Sequence, residues 1–138
     1  MPGPKVQLLR NVPLFGALNE RELRRLARMM DEVDVSAGRY VIRQGKRGSE
    51  FFIIVTGRVR IERDGEVLGE LGSGDFLGEI ALVDGGPRTA SAVAVDDSRV
   101  LVLTARDFRS MLDSTPQVES KVLRTLAKRV RNLQPDAH

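Results

Sequence analysis

Gly78-Glu79-Ile80-Ala81-Leu82 and, a few residues on, Pro87-Arg88-Thr89-Ala90 are the part of this 138-residue chain whose residue types could do chemistry. Gly78 lets the backbone come close to a bound group, and Glu79 to Leu82 can open one helical turn whose free N–H groups point at an anion. Arg88 supplies a planar fork able to chelate two oxygens of a phosphodiester. Pro87 sets φ just before that arginine, while Gly85-Gly86 lets the chain turn back toward the short helix. Thr89 adds a hydroxyl for the phosphate or a purine substituent, and Ala90 adds a backbone N–H with little bulk in the way. Glu79 is repelled by an anion unless it faces something else, and a ribose hydroxyl donating to its carboxylate is the obvious partner. The other reading of the same residues is a loop with a surface arginine and a glutamate at a helix start. Residue types alone leave both open.

The elements that must position this segment are readable on either side of it. Asn19, with Glu22 three residues on, forms a capping box ahead of Leu23, Leu26, Ala27 and Met30 at helical spacing. From Val33 the pattern changes to short β-rich runs separated by Gly38, Gly45, Gly48, Gly57, Gly65, Gly72, Gly74 and Gly78, which marks repeated tight turns. Asp64-Gly65, between Val59-Arg63 and Glu66-Leu68, has the chemistry of a type I′ hairpin turn. Ser91 to Asp96 and Arg99 to Leu103 read as two further strands joined at Asp97-Ser98. Thr104 can then cap a short helix carrying Phe108, Met111 and Leu112, and Pro116 suits the first turn of a last helix. Its stripe Val118, Val122, Leu126, Val130 and Leu133 covers about 18 residues, or roughly 27 Å. The expected order is helices over about 5–32, an all-β barrel or sandwich over about 33–103 and helices over about 104–133, within a single domain spanning 1–138.

Composition narrows the chemistry further. The chain is 41% hydrophobic, enough for a real core, and has no Cys, which excludes disulfides, thiolate metal sites and cysteine nucleophiles. A reducing, cytoplasmic location is the expectation. Apolar runs such as Phe51 to Val55 are far too short for a membrane helix, and Met1 to Arg10 lacks a secretory core, so no membrane insertion is expected. The formal charge is only +3. Two basic clusters, Arg21/Arg24/Arg25/Arg28 and Lys121/Arg124/Lys128/Arg129/Arg131, read as solvated helix faces. His138 is the only histidine and the last residue, so a histidine-rich barrel metal site cannot be built. There is no Gly-x-Ser-x-Gly elbow, Gly45-Lys46 is followed by Arg47 instead of Ser or Thr, and Gly72-Ser73-Gly74 reaches Gly78 one residue too late for a dinucleotide fingerprint. No catalytic residue, no metal site and no cofactor are expected.

Gly74-Asp75-Phe76-Leu77-Gly78-Glu79-Ile80-Ala81-Leu82 with Pro87-Arg88-Thr89-Ala90 resembles the phosphate-binding cassette of the cyclic nucleotide-binding domain family. Gly38, Ile42, Gly45, Gly48, Phe52, Ile54, Gly57 and Val59 resemble its glycine-spaced β-roll, so the likeness runs from about Leu14 to Arg131. The resemblance implies a mainly β fold, an eight-stranded antiparallel, jelly-roll-like β-roll with N-terminal helices and two C-terminal helices. It implies that Glu79 accepts from the ribose 2′-hydroxyl, that Arg88 pairs with the cyclic phosphate, and that backbone N–H groups of Gly78, Ile80, Thr89 and Ala90 complete the cradle. The final helix closes over the purine in relatives, which makes Arg129 the lid candidate, with Leu126 and Val130 beside it and Ile61 as an apolar wall. That helix carries no aromatic ring to cap the base. The implied ligand is cAMP; cGMP is the competitor, because Thr89 stands where some relatives accept it. Expected partners are the nucleotide and, through the last helix, a protein or a second copy. A chain that stops at His138 leaves no room for a recognition helix, so no direct DNA binding is expected. The alternatives are the regulatory part of a larger transcription factor, channel or transporter, and a degenerate domain serving as a protein-interaction scaffold.

Overall fold

The computed structural model describes residues 4–78 and 87–133, and the side chains of 5–78 and 87–128. The chain opens with helix α1 (Pro4–Arg10), a 3-10 turn (Pro13–Phe15) and helix α2 (Glu20–Met29). At the start of α2 the Glu22 N–H donates to Asn19 Oδ1 at 2.9 Å and the Asn19 N–H donates to Glu22 Oε1 at 3.0 Å, so the capping box forms as read. Leu23, Leu26 and Ala27 turn inward. All four arginines of α2 are exposed, and Arg24 pairs with Glu20 at 3.1 Å.

Eight strands follow among the described residues: β1 (Asp31–Val35), β2 (Tyr40–Ile42), β3 (Glu50–Thr56), β4 (Val59–Arg63), β5 (Glu66–Leu71), β6 (Phe76–Leu77), β7 (Ser91–Ala94) and β8 (Ser98–Thr104). They form two four-stranded antiparallel sheets, ordered β1-β8-β3-β6 and β2-β7-β4-β5. This is the mainly β roll with flanking helices. Asp64 and Gly65 sit at φ 53° and 82°, as a type I′ turn requires. The turn before β8 falls earlier than the residue pattern suggests. Asp96 and Asp97 are spent on the turn itself: Asp96 pairs with Arg58 at 2.8 Å, and Asp97 accepts from the Ala37 N–H at 2.9 Å. The hydrogen bond from Arg58 holds the Asp96 carboxyl below the usual carboxylate range.

Helix α3 (Ala105–Ser114) starts at Thr104, whose hydroxyl accepts from the Asp107 N–H at 3.2 Å, and helix α4 (Pro116–Leu133) starts on Pro116. The helices cover one face of the first sheet. Phe51, Ile53, Val55, Leu101 and Leu103 meet Leu9, Phe15, Leu23, Phe108, Met111, Val118 and Val122 there. The opposite face, with Phe52, Ile54, Leu77 and Val100, closes the interior of the roll against Ile42, Val59 and Ala92. Strand β3 is therefore buried on both faces, which is why Phe51 to Val55 is an unbroken apolar run with no period-2 alternation. The Phe51 ring stacks on Phe108 at 4.5 Å and lies 5.5 Å from Phe76.

Phe51→Ala should lower stability by about 3–5 kcal/mol, since it empties a fully buried ring position between sheet and helices. Denaturant unfolding followed by circular dichroism measures this. A loss below about 1 kcal/mol would mean that β3 is not the packed centre described.

Candidate anion-binding site

The register of β3 against β6 pairs Phe52 with Leu77 and Ile53 with Phe76. It brings the start of β3, at Glu50, beside Gly78, the residue after β6. Gly78 has φ 96°, a left-handed conformation that side chains disfavour. A Cβ there would stand 2.8 Å from the Glu50 carbonyl oxygen and 3.0 Å from Arg88 Nη1. Only glycine fits that corner without displacement.

Arg88 fills the corner. It is 6% exposed, with Nη1 donating to the Gly78 carbonyl and Nη2 to the Glu50 carbonyl, both at 2.8 Å. Two such bonds fix the plane of the guanidinium, so the sheet sets its direction. Its backbone is held as firmly: the Arg88 N–H donates to the Lys46 carbonyl and the Gly45 N–H donates to the Arg88 carbonyl, each at 2.9 Å. Gly48 lies flat against the guanidinium, where a Cβ would come within 2.7 Å of Cζ. The arginine is thus clamped between the β2–β3 loop and the ends of β3 and β6.

The residues after Arg88 lead directly into β7. Thr89 is exposed and Ala90 half-buried. The Thr89 carbonyl accepts from Arg63 Nε at 3.0 Å, and Ser91 Oγ accepts from the Gln44 N–H at 2.8 Å. Ile61, half-buried on β4, pairs with Ala92 of β7 and packs on the interior cluster that contains Leu77. Gly78, Arg88, Thr89, Ala90 and Ile61 are therefore linked through β6, β7 and β4. Glu79 and Ile80 lie outside the described residues. Arg129 falls within α4, as does Val130, with side chains outside the described set; Leu126 is partly buried against the helical core. On the same helix Lys121 Nζ donates to the Pro13 carbonyl at 2.8 Å, tying α4 to the 3-10 turn. Among the described residues no group of three or more His, Cys, Asp or Glu is placed to hold a metal ion, and no helix is long and apolar enough to cross a membrane.

Residue types did not point to the Glu50 carbonyl, the Lys46 carbonyl or Arg63 as parts of this site. The first two act through backbone that every residue carries. Arg63 had one usable signal, its place next to the Asp64-Gly65 turn.

The profile of the family described as the cyclic nucleotide-binding domain matches residues 32–115, more than half of the chain. The cAMP-dependent protein kinase regulatory subunit of Mycosarcoma maydis is 44% identical over 105 residues, covering 71% of this chain and 20% of its own length. A cyclic nucleotide-gated potassium channel of Rhizobium etli is 36% identical over 123 residues, covering 89% of this chain and 34% of its own. Among solved structures, the Thermus thermophilus catabolite activator protein superposes with a TM-score of 0.79 at 31% identity, over 90% of this chain and 61% of that one. The chain spans about a fifth to three fifths of the length of the curated relatives it matches.

Gly78→Ala should destabilise the fold by about 1–3 kcal/mol, from the left-handed φ together with the contact on Glu50 and Arg88. The shift of the urea midpoint measures it. An unchanged midpoint would mean that the corner is looser than its distances indicate.

Proposed function

Because the chain belongs to the cyclic nucleotide-binding domain family, we propose that the Arg88 corner takes the cyclic phosphate of cAMP and that occupancy repositions α4. The observation that carries this reading is the buried Arg88 guanidinium, oriented by the Gly78 and Glu50 carbonyls at 2.8 Å. A phosphodiester brought to that fork exchanges water for charge-assisted hydrogen bonds at low local dielectric, where they are strongest. In this reading the N–H groups of Gly78, Ile80, Thr89 and Ala90 complete the cradle, and Glu79 accepts from the ribose 2′-hydroxyl. Ile61 forms the wall below the purine. Relatives named for dependence on cAMP and for gating by cyclic nucleotides support the ligand class. The regulatory character of those relatives favours a binding domain with no catalytic step of its own.

The switch follows from linkage. A ligand that touches both the cradle and α4 favours the arrangement in which it makes both contacts, and any partner of α4 then feels the reciprocal free energy. Arg129 is the proposed lid residue, stacking its guanidinium over the base.

Calorimetric titration of the nucleotide-stripped protein with cAMP, and separately with cGMP, tests the reading. Saturable one-to-one heat is expected, tighter for cAMP. Absence of heat with either nucleotide would overturn it and favour a scaffold domain. Arg88→Leu should weaken binding by about 2–5 kcal/mol, because it leaves a desolvated phosphate unpaired. For the lid, Arg129→Ala should weaken cAMP binding and leave the amides of α4 exchanging as fast with ligand as without. If both affinity and exchange protection match the parent, Arg129 has no part in the site.

A further inference from the structure

Arg63, at the end of β4, holds the exit of the cradle. Its Nε donates to the Thr89 carbonyl at 3.0 Å across 26 residues of sequence. The hairpin that carries it is itself fastened at its turn. Gln44 Nε2 donates to Asp64 Oδ1 at 2.8 Å, the Asp64 N–H donates to Gln44 Oε1 at 2.9 Å, and the Gln44 N–H donates to Ser91 Oγ at 2.8 Å. A closed set of side-chain bonds thus links the β4–β5 turn, the β2–β3 loop and the start of β7.

The consequence lies in the peptide that joins Thr89 to Ala90. A peptide unit is planar, and no described peptide bond is cis, so its C=O and N–H point in opposite directions. Drawing the Thr89 oxygen toward Arg63 therefore turns the Ala90 N–H away from the hairpin. Arg88 and Ser91 on either side are held by their own bonds, and the Arg63 bond fixes the plane of the exposed peptide between them.

We infer that Arg63 is a positioning residue for the anion site: by holding the Thr89 carbonyl it aims the Ala90 N–H at one exocyclic oxygen of the bound phosphate. This rests on the cyclic nucleotide reading above. Arg63 itself does not touch the ligand. It acts on the direction of a donor, so its effect falls on one of the two exocyclic oxygens, which are stereochemically distinct.

The test uses the whole chain and its Arg63→Met and Arg63→Lys variants, titrated calorimetrically with cAMP and with its Sp and Rp exocyclic phosphorothioates. Sulfur accepts hydrogen bonds poorly, so each diastereomer removes one oxygen from recognition. Arg63→Met should bind cAMP about tenfold more weakly, the effect of one hydrogen bond to a charged group. It should also bring the Sp to Rp affinity ratio closer to one. Arg63→Lys, which can still donate to the carbonyl, should restore most of both. Binding by Arg63→Met with the parental affinity and ratio would overturn the inference. A loss equal for both diastereomers, or one accompanied by a matching fall in melting temperature and not rescued by lysine, would also overturn it by showing a merely structural role. Absence of cAMP binding by the parent chain would instead remove the nucleotide reading on which the inference rests.

Discussion

Arg88 is 6% exposed, and a buried guanidinium must be met by acceptors, because a desolvated cation without them is among the most costly things a fold can contain. Here the acceptors include the backbone carbonyls of Glu50, at the start of β3, and of Gly78, the residue after β6. Those carbonyls meet only when β3 and β6 pair in their observed register and when position 78 has no side chain. The loop before β3 must pass close enough for Gly48 to lie against the same group. Much of the local architecture of the roll can be understood as the shell that this single cation requires.

The stiffness of that shell comes from β3. A strand packed on both faces cannot slide by one residue without driving Phe51 and Ile53 out of the helical core and Phe52 and Ile54 out of the roll interior. The position of the Glu50 carbonyl is therefore set by apolar packing on two sides. Helices α1, α2 and α3 contribute to the site indirectly, by covering the outer face of that sheet together with Val118 and Val122 of α4. The Lys121 bond to the Pro13 carbonyl joins α4 to the 3-10 turn.

Local signals were legible in the amino-acid sequence wherever chemistry acts between near neighbours. The Asn19 to Glu22 capping box, the Asp64-Gly65 turn, the Thr104 cap and the Pro116 helix start depend on residues within a few positions of each other, and each forms as its residue types require. The family was also legible, because glycine, glutamate and arginine at fixed spacing form a specific pattern. Contacts that join distant positions through the backbone were not. Glu50 lies 38 residues from Arg88 and contributes a carbonyl that any residue would offer, so its side chain carries no trace of the role. Arg63 resembles any charged residue beside a turn until its partner, 26 residues on, is in place. Strand β5 runs on to Leu71 past the Leu68 suggested by the pattern, and its pairing with β4 shifts register between Ile61 and Glu62, which alternation alone does not encode.

If Arg88 is the group that meets the ligand, its own side chain must respond when cAMP binds. Arginine side-chain nitrogen resonances, followed by NMR as cAMP is added, separate it from the bulk of surface arginines because it is buried. The Arg88 guanidinium signals should move to a new saturating position with the midpoint given by calorimetry. Saturation of the protein with cAMP while the Arg88 signals stay where they were would contradict it, and would place the phosphate elsewhere on the roll.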